Sequence, residues 1–205
     1  MRFIGRRAET EGGEKGFCFV RRAFVLAGMT RERIAIDMDE VMADVLSRHL
    51  SLYNAEFQAA LTRDDLQGRH LGEAVPEEHR TRVRAFAFEV GFFRDLPVMP
   101  GCQEVIRDLQ RRYDIFITTA AMEFPNSFPE KYDWLMEHLP FIPWTHIVFC
   151  GDKSVIATDY LIDDHVRNFK GFRGEGILYT APHNIHVTGF RRVADWAEVR
   201  RMFLE

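Results

Sequence analysis

Cysteine is scarce in this 205-residue chain: Cys18, Cys102 and Cys150 are three in number and widely scattered. An odd, dispersed set makes neither a disulfide framework nor a metal knuckle, and it fits a reducing, cytoplasmic setting. Long hydrophobic runs are also lacking. No stretch approaches the roughly 20 apolar residues that cross a bilayer, so no membrane partner is expected. A surplus of positive charge is missing too. The formal net charge is −4, which leaves no electrostatic footprint for duplex nucleic acid. The local cluster Arg80, Arg82 and Arg84 reads as a solvated helix face. Internal repeats and low-complexity segments are absent. What is there is an ordinary apolar share of 46%, ample for a core, in a length that suits one domain with an inserted subdomain.

The amino-terminal stretch Arg21-Arg22-Ala23-Phe24-Val25-Leu26 resembles a twin-arginine export signal. Its apolar run stops at Met29, before Thr30-Arg31-Glu32-Arg33, which is too short for an export segment with a cleavage site. Glu9, Glu11 and Glu14 argue against an organelle transit peptide, which is poor in acids. The expectation is that Met29 is the natural start, that residues 1–28 form a poorly ordered extension, and that residues 29–205 form the domain.

The informative stretch is Ile34-Ala35-Ile36-Asp37-Met38-Asp39-Glu40-Val41. Its apolar, partly β-branched run reads as a buried strand. It ends in two carboxylates one residue apart, and strand residues i and i+2 point the same way. At the carboxyl end of a strand in an open α/β sheet, both would face the crevice where ligands bind. Two carboxylates there repel unless one is protonated or a cation compensates them. A hard cation with oxygen ligands, Mg²⁺ above all, is the natural partner. Taken alone, the pair reads equally well as a turn with a helix cap. A calcium loop fits poorly: a strand precedes Asp37, Met42 holds the sixth position where Gly is needed, and Arg48 the twelfth where Glu is needed.

Strand and helix signals then alternate. Val45, Leu46, His49, Leu50 and Tyr53 stand at helical spacing. A polar stretch broken by Gly68 and Gly72 follows. Pro76 suits the first position of a helix running through Val83, Phe86, Ala87 and Val90. Nothing in residues 44–96 reads as a sheet strand, so a helical insert of about that span is expected, placed to fold over the site as a cap. Val105, Ile106 and Leu109 give a short helix. Strands are expected at Asp114–Thr119, near His146–Cys150, at Tyr160–Ile162 and at Gly176–Thr180, with helices through Trp134 and from Trp196 to Phe203. This predicts an α/β fold: a Rossmann-like parallel sheet with helices on both faces and a small helical cap after the first strand.

In such a sheet, Asp37 and Asp39, Thr118 and Thr119, Lys153, and Asp163 and Asp164 converge on one edge. Each alone is weak evidence. Together, carboxylates for Mg²⁺ with a hydroxyl and an ammonium for phosphate oxygens are what phosphoryl transfer through an aspartyl-phosphate requires. This set resembles the four motifs of the haloacid dehalogenase superfamily. In detail, Asp37-Met38-Asp39, Ala43-Asp44, Gly91-Phe92-Phe93, Pro100-Gly101, Glu130-Lys131-Tyr132-x-Trp134, Asp152-Lys153, Leu161-Ile162-Asp163-Asp164 and His183-Asn184 resemble the 5′(3′)-deoxyribonucleotidases, from about Ile34 to the C-terminus.

That resemblance implies Mg²⁺-dependent removal of phosphate from deoxynucleoside monophosphates, small phosphorylated substrates. By position it implies Asp37 as nucleophile and Asp39 as acid and base. Asp37, the backbone carbonyl of Asp39, and Asp164 would hold Mg²⁺, with Asp163 in support. Thr119 matches the phosphate-binding threonine, with Thr118 beside it, and Lys153 would pair with the phosphate. Phe92 and Phe93 would wall the nucleoside, or else anchor the cap to the core. Glu40 stands where many relatives have glycine, Ala120 where some have a phosphate-binding serine, and Gln67-Gly68-Arg69-His70 has no counterpart that can be placed. His183 and His186 have metal-like spacing but read as an ordinary loop pair. The alternatives are a phosphatase for another small metabolite and a phosphate- or nucleotide-binding protein without turnover. A homodimer is left open.

Overall fold

The computed structural model describes residues 31–205; the extension expected over residues 1–28, with its start at Met29, lies outside the described residues. Six strands form one parallel sheet in the order β3-β2-β1-β4-β5-β6. They are β1 (Arg33–Asp37), β2 (Asp114–Thr119), β3 (Ile147–Phe149), β4 (Tyr160–Asp163), β5 (Glu175–Tyr179) and β6 (Arg191–Val193). β1 is central because both its faces are apolar: Ile34, Ala35 and Ile36 are fully buried, as a parallel strand covered on both sides requires. It pairs Asp37 with Thr118 of β2 and Ile36 with Ile162 of β4. The order changes direction across β1 and β4, so a crevice opens at their carboxyl ends.

The segment between β1 and the helix α4 (Cys102–Leu109) adds no strand to the sheet. It holds α1 (Val45–Phe57), a 3-10 turn at Arg63–Leu66, α2 (Leu71–Ala74) and α3 (Glu77–Phe86). Asp44 caps α1 by accepting from the Ser47 backbone N–H, which fixes where the chain leaves the sheet. α3 ends at Phe86, earlier than the apolar spacing predicts. Pro76 sits at its N-cap rather than its first turn, and Val90 is exposed. α5 (Ser127–His138) and α6 (Trp196–Leu204) complete the layers.

Two buried indoles fasten the two ends of the inserted segment. Trp196 donates through Nε1 to the carbonyl of Val41, and Trp134 to that of Leu96, each at 2.8 Å. Burying a side chain of this size contributes on the order of 3 kcal/mol, and the indole N–H satisfies a loop carbonyl that would otherwise be stranded. β6 was not foreseen: three residues, two of them arginine, carry no alternation that periodicity detects. Among the described residues no helix is long and apolar enough to cross a membrane.

Candidate active site

Asp37 is the last residue of β1, and Asp163 the last of the neighbouring β4. Lys153 stands between them. Its ammonium donates to Oδ1 of Asp37 and, at 2.5 Å, to Oδ2 of Asp163. All three side chains are buried. Asp163 is further held by the backbone N–H of His165 at 2.8 Å and by Asn168 Nδ2 at 2.9 Å. It is a fully satisfied anchor for the lysine. Asp164 follows, and its backbone carbonyl accepts from Asn184 Nδ2 at 2.8 Å. Asn184 is itself gripped by Arg192 at 2.8 Å. The unforeseen β6 thereby supplies the residue that steadies the loop after β4.

Asp39 lies one bend beyond the strand, so strand alternation does not bring it to the crevice; the turn at Met38–Ala43 does. In that turn Glu40 takes a left-handed φ of 57°, a conformation in which only glycine is unstrained. Its carboxylate compensates by accepting from the Leu46 backbone N–H at 2.5 Å and pairing with Arg63 at 3.1 Å.

The electrostatics are those of a crowded anionic floor. Burial, opposed by Lys153 and reinforced by Asp163 and Asp39, pushes the Asp37 carboxyl up to about 7. Burial, with Asp37 and Asp163, holds Asp164 well above the usual carboxylate range. For Lys153, burial disfavours the charge, but Asp37 and Asp163 outweigh it and the ammonium is held above its ordinary value. Glu40 is raised to about 7 by burial, against Arg63. Oxygens of Asp37, Asp163 and Asp164 lie within 4.8 Å of one another, and Asp39 Oδ1 is buried with no hydrogen-bond partner. A donor set made only of carboxylate oxygens, under-compensated by one lysine, fits a hard divalent cation.

A cavity of about 1180 Å³ opens over this floor. Its wall includes Asp37, Asp39, Ala120, Lys153 and Asp164 from the sheet edge and His70 from the insert. Thr119 is buried beneath it, its hydroxyl accepting from Lys131 Nζ at 3.0 Å. Thr118 turns the other way, donating to the Ile36 carbonyl at 3.4 Å. Phe92 and Phe93 are buried and are not part of the cavity wall. Their rings meet edge to face at 4.8 Å, Phe92 packs on His49 at 4.6 Å, and Phe93 lies under the Lys131 ammonium at 4.5 Å.

Sequence reasoning gave Lys131 no role, yet its ammonium reaches Asp39 Oδ2 at 2.6 Å. The signal was there. On α5 the buried residues Ser127, Lys131, Trp134 and Leu135 follow helical spacing, and a lysine in a buried stripe must have an acidic partner. Glu130 beside it accepts from the backbone N–H groups of Gly91 and Phe93, at 2.5 and 2.9 Å, so one turn of α5 fixes both the lysine and the end of the insert. His183 is joined not by His186 but by His70 and His165, a grouping no linear spacing reveals.

Residues 31–205 match the family model described as 5′ nucleotidase, deoxy (pyrimidine), cytosolic type C protein. A Staphylococcus epidermidis protein, provisionally named a 5′(3′)-deoxyribonucleotidase, is 46% identical over 175 residues, covering 85% of this chain and 97% of its own length. A Bacillus subtilis protein named 5′(3′)-deoxyribonucleotidase is 36% identical over 172 residues, covering 83% and 98%. Among solved structures, a HAD-superfamily hydrolase of subfamily IA from Geobacter sulfurreducens aligns with a TM-score of 0.51 at 15% identity, covering 84% of this chain and all of its own. The Bacillus subtilis HAD-type protein YfnB, crystallised with magnesium, aligns at 0.53 and 12% identity, covering 84% and 98%. The two structures share the fold.

Proposed function

Because the chain belongs to the cytosolic type C 5′-nucleotidase family, and is a phosphomonoester hydrolase, we propose that it dephosphorylates deoxynucleoside monophosphates with Mg²⁺, through an aspartyl-phosphate on Asp37. The observation that carries this reading is the arrangement around Lys153. One buried ammonium holds the carboxylates of Asp37 and Asp163 together, and Asp164 completes an oxygen trio that no second lysine or arginine pairs with among the described residues.

Asp37, the backbone carbonyl of Asp39, and Asp164 would hold Mg²⁺, with Asp163 supporting through Lys153. When bound, the cation offsets the repulsion between the Asp37 carboxylate and the phosphate. Asp37 attacks phosphorus. Asp39 donates a proton to the leaving sugar oxygen and then takes one from the water that cleaves the acyl-phosphate. Lys153 and Thr119 bind phosphoryl oxygens, with the backbone at Ala120 beside them. Lys131 positions the Asp39 carboxylate. The segment of residues 44–96 acts as a cap over the cavity, and Phe92 and Phe93 act from below as its footing instead of as a stacking wall. The buried, unpaired thiol of Cys102 and the free Cys150 support a reducing, cytoplasmic setting.

The test is phosphate release with Mg²⁺ and again with EDTA, from dUMP, dTMP, UMP, AMP, a 3′-monophosphate, a sugar phosphate and p-nitrophenyl phosphate. Mg²⁺-dependent release favouring the deoxynucleotides is expected. Release from the sugar or generic esters alone would overturn the nucleotide assignment and leave the Asp37 chemistry standing.

A further inference from the structure

Three imidazoles from three separate parts of the chain face one another at the cavity's edge. His70 precedes α2 in the insert, His165 follows Asp164 at the end of β4, and His183 lies in the loop after β5. Their rings are nearly parallel, with centroids 4.4 Å apart for His70 and His183, 4.5 Å for His165 and His183, and 5.5 Å for His70 and His165. One ring nitrogen from each lies within 4.8 Å of the others. The Asp164 carboxylate closes the set: Oδ2 is 3.5 Å from His183 Nε2 and 3.7 Å from His165 Nε2.

The backbone beneath this cluster is fixed. Gly68 donates through its N–H to the Pro182 carbonyl at 2.8 Å, tying the loop that carries His70 to the loop that carries His183. The Glu73 carboxylate accepts from the His70 backbone N–H at 2.8 Å, and His183 Nε2, the nitrogen that also faces the Asp164 carboxylate, lies 3.2 Å from the Asp164 carbonyl; an ion at that nitrogen requires the Nδ1–H tautomer and replaces this contact. Stacking alone explains two touching rings. It does not explain three from unrelated segments with a carboxylate against them.

We propose that His70, His165 and His183, with the Asp164 carboxylate, form a site for a divalent transition ion of the Zn²⁺ class, bridging the insert to the sheet edge. Three imidazoles and one carboxylate are a nitrogen-rich, four-donor set, which suits Zn²⁺ or Co²⁺ and not Mg²⁺. Zinc–nitrogen bonds of about 2.0–2.1 Å lie in the plane of each imidazole, so the stacked rings must turn out of their parallel arrangement to aim their nitrogens at one ion. The ion recruits Asp164 away from the carboxylate trio and fixes His70 to the core. Zn²⁺ therefore inhibits Mg²⁺-dependent turnover. This inhibitory consequence rests on the function proposed above; the metal site itself does not.

Co²⁺ added to the EDTA-stripped chain in excess Mg²⁺ tests the site directly. The expected result is the intense visible absorption of four-coordinate cobalt, at one ion per chain and displaced by Zn²⁺. The band is lost in His70→Asn and His183→Asn and kept in Asp37→Asn, which leaves all four donors intact. Zn²⁺ affinity falls at least about tenfold in His70→Asn, since even outer partners of a metal site are worth that much. His70 is exposed, so the substitution leaves the buried core untouched, and circular dichroism checks that the variant is folded. Only the weak absorption of six-coordinate, oxygen-bound cobalt, or a band that survives His70→Asn and vanishes in Asp37→Asn, would overturn the proposal by placing the ion on the carboxylates. Either result leaves phosphate release with Mg²⁺ to be judged separately.

Discussion

Lys131 and Asp39, 92 positions apart in the chain, meet through Nζ and Oδ2 at 2.6 Å. The lysine is buried, while the aspartate side chain keeps about a third of its exposure. The ammonium therefore sits below the carboxylate and aims it upward into the cavity, with Phe93 and Thr119 as its other neighbours. Lys131→Met keeps the stem and removes the charge. It should lower kcat by about 10²-fold, the scale of losing one preorganised electrostatic group, with a smaller change in KM. Lys131→Arg should not rescue it, because a planar fork does not fit a site shaped for an ammonium. Steady-state kinetics on the best substrate decide this, and an unchanged kcat in Lys131→Met would remove the positioning role.

Asp37→Asn should abolish turnover and reveal itself in stability against pH. In the metal-free protein the Asp37 carboxyl is raised from 3.8 to about 7. Between those values the folded state holds a proton that the unfolded state has lost, so stability falls as pH rises through this window. The variant lacks that loss. The difference in Tm, variant minus parent, should grow from pH 4 to pH 7 in EDTA and level off above. Mg²⁺ should reduce it by stabilising the parent's ionised trio. The comparison must be with the single variant, because His165 and His183, lowered to about 3 and about 4 mainly by burial, give the parent an opposing slope below their ordinary pKa. A Tm difference independent of pH would contradict a strained Asp37.

The sheet and the polar residues at its edge were legible because both are written locally. Ile34–Ile36 and Ile115–Ile117 are short apolar runs, and their carboxyl ends carry Asp37 and Thr119 in plain view. What was not legible depends on contacts between distant segments. Thr118 and Thr119 are indistinguishable by type. Only the strand's facing sends one hydroxyl to the Ile36 carbonyl and leaves the other with Lys131. Phe92 and Phe93 read first as a wall for the nucleoside and second as an anchor of the insert, and only the folded chain shows that both are buried outside the cavity lining. The three histidines share no spacing at all; one backbone bond, Gly68 to Pro182, and one side-chain bond, Asn184 to the Asp164 carbonyl, bring their segments together.

Glu40 and Arg63 offer a measure of how firmly the insert is tied to the turn that carries Asp39. Glu40→Gly relieves a left-handed backbone worth roughly 1–2 kcal/mol but gives up the Leu46 N–H and the Arg63 pair. The net change in unfolding free energy should stay within about 1 kcal/mol. Arg63→Met leaves the Glu40 and Asp44 carboxylates side by side without a cation and should cost about 1–3 kcal/mol. In the double variant the losses should fall short of their sum by about 1 kcal/mol, the coupling of the pair. Urea unfolding of the four proteins gives the cycle, and strict additivity would mean that the pair carries no weight.

Gly68 is the position where a single methyl should loosen the cap and spare the chemistry. Its φ is +75°, and an added Cβ would lie 2.4 Å from Cδ2 of His186. Its N–H also makes the backbone tie to Pro182. Gly68→Ala therefore meets two costs at once, a left-handed alanine and a steric overlap with a ring on the opposing loop. The cheaper escape is for residues 67–70 to lift away, which breaks the tie and carries His70 off the cavity wall. KM should rise about tenfold with kcat nearly unchanged, because Asp37, Asp39 and Lys153 stand on the sheet side of that joint. Proteolytic nicking should appear within residues 67–70. His186→Ala, made in the same background, removes the overlap and should restore part of the lost affinity. If it restores none, His186 is not what Gly68 makes room for, and the joint is held by the hydrogen bond to Pro182 alone.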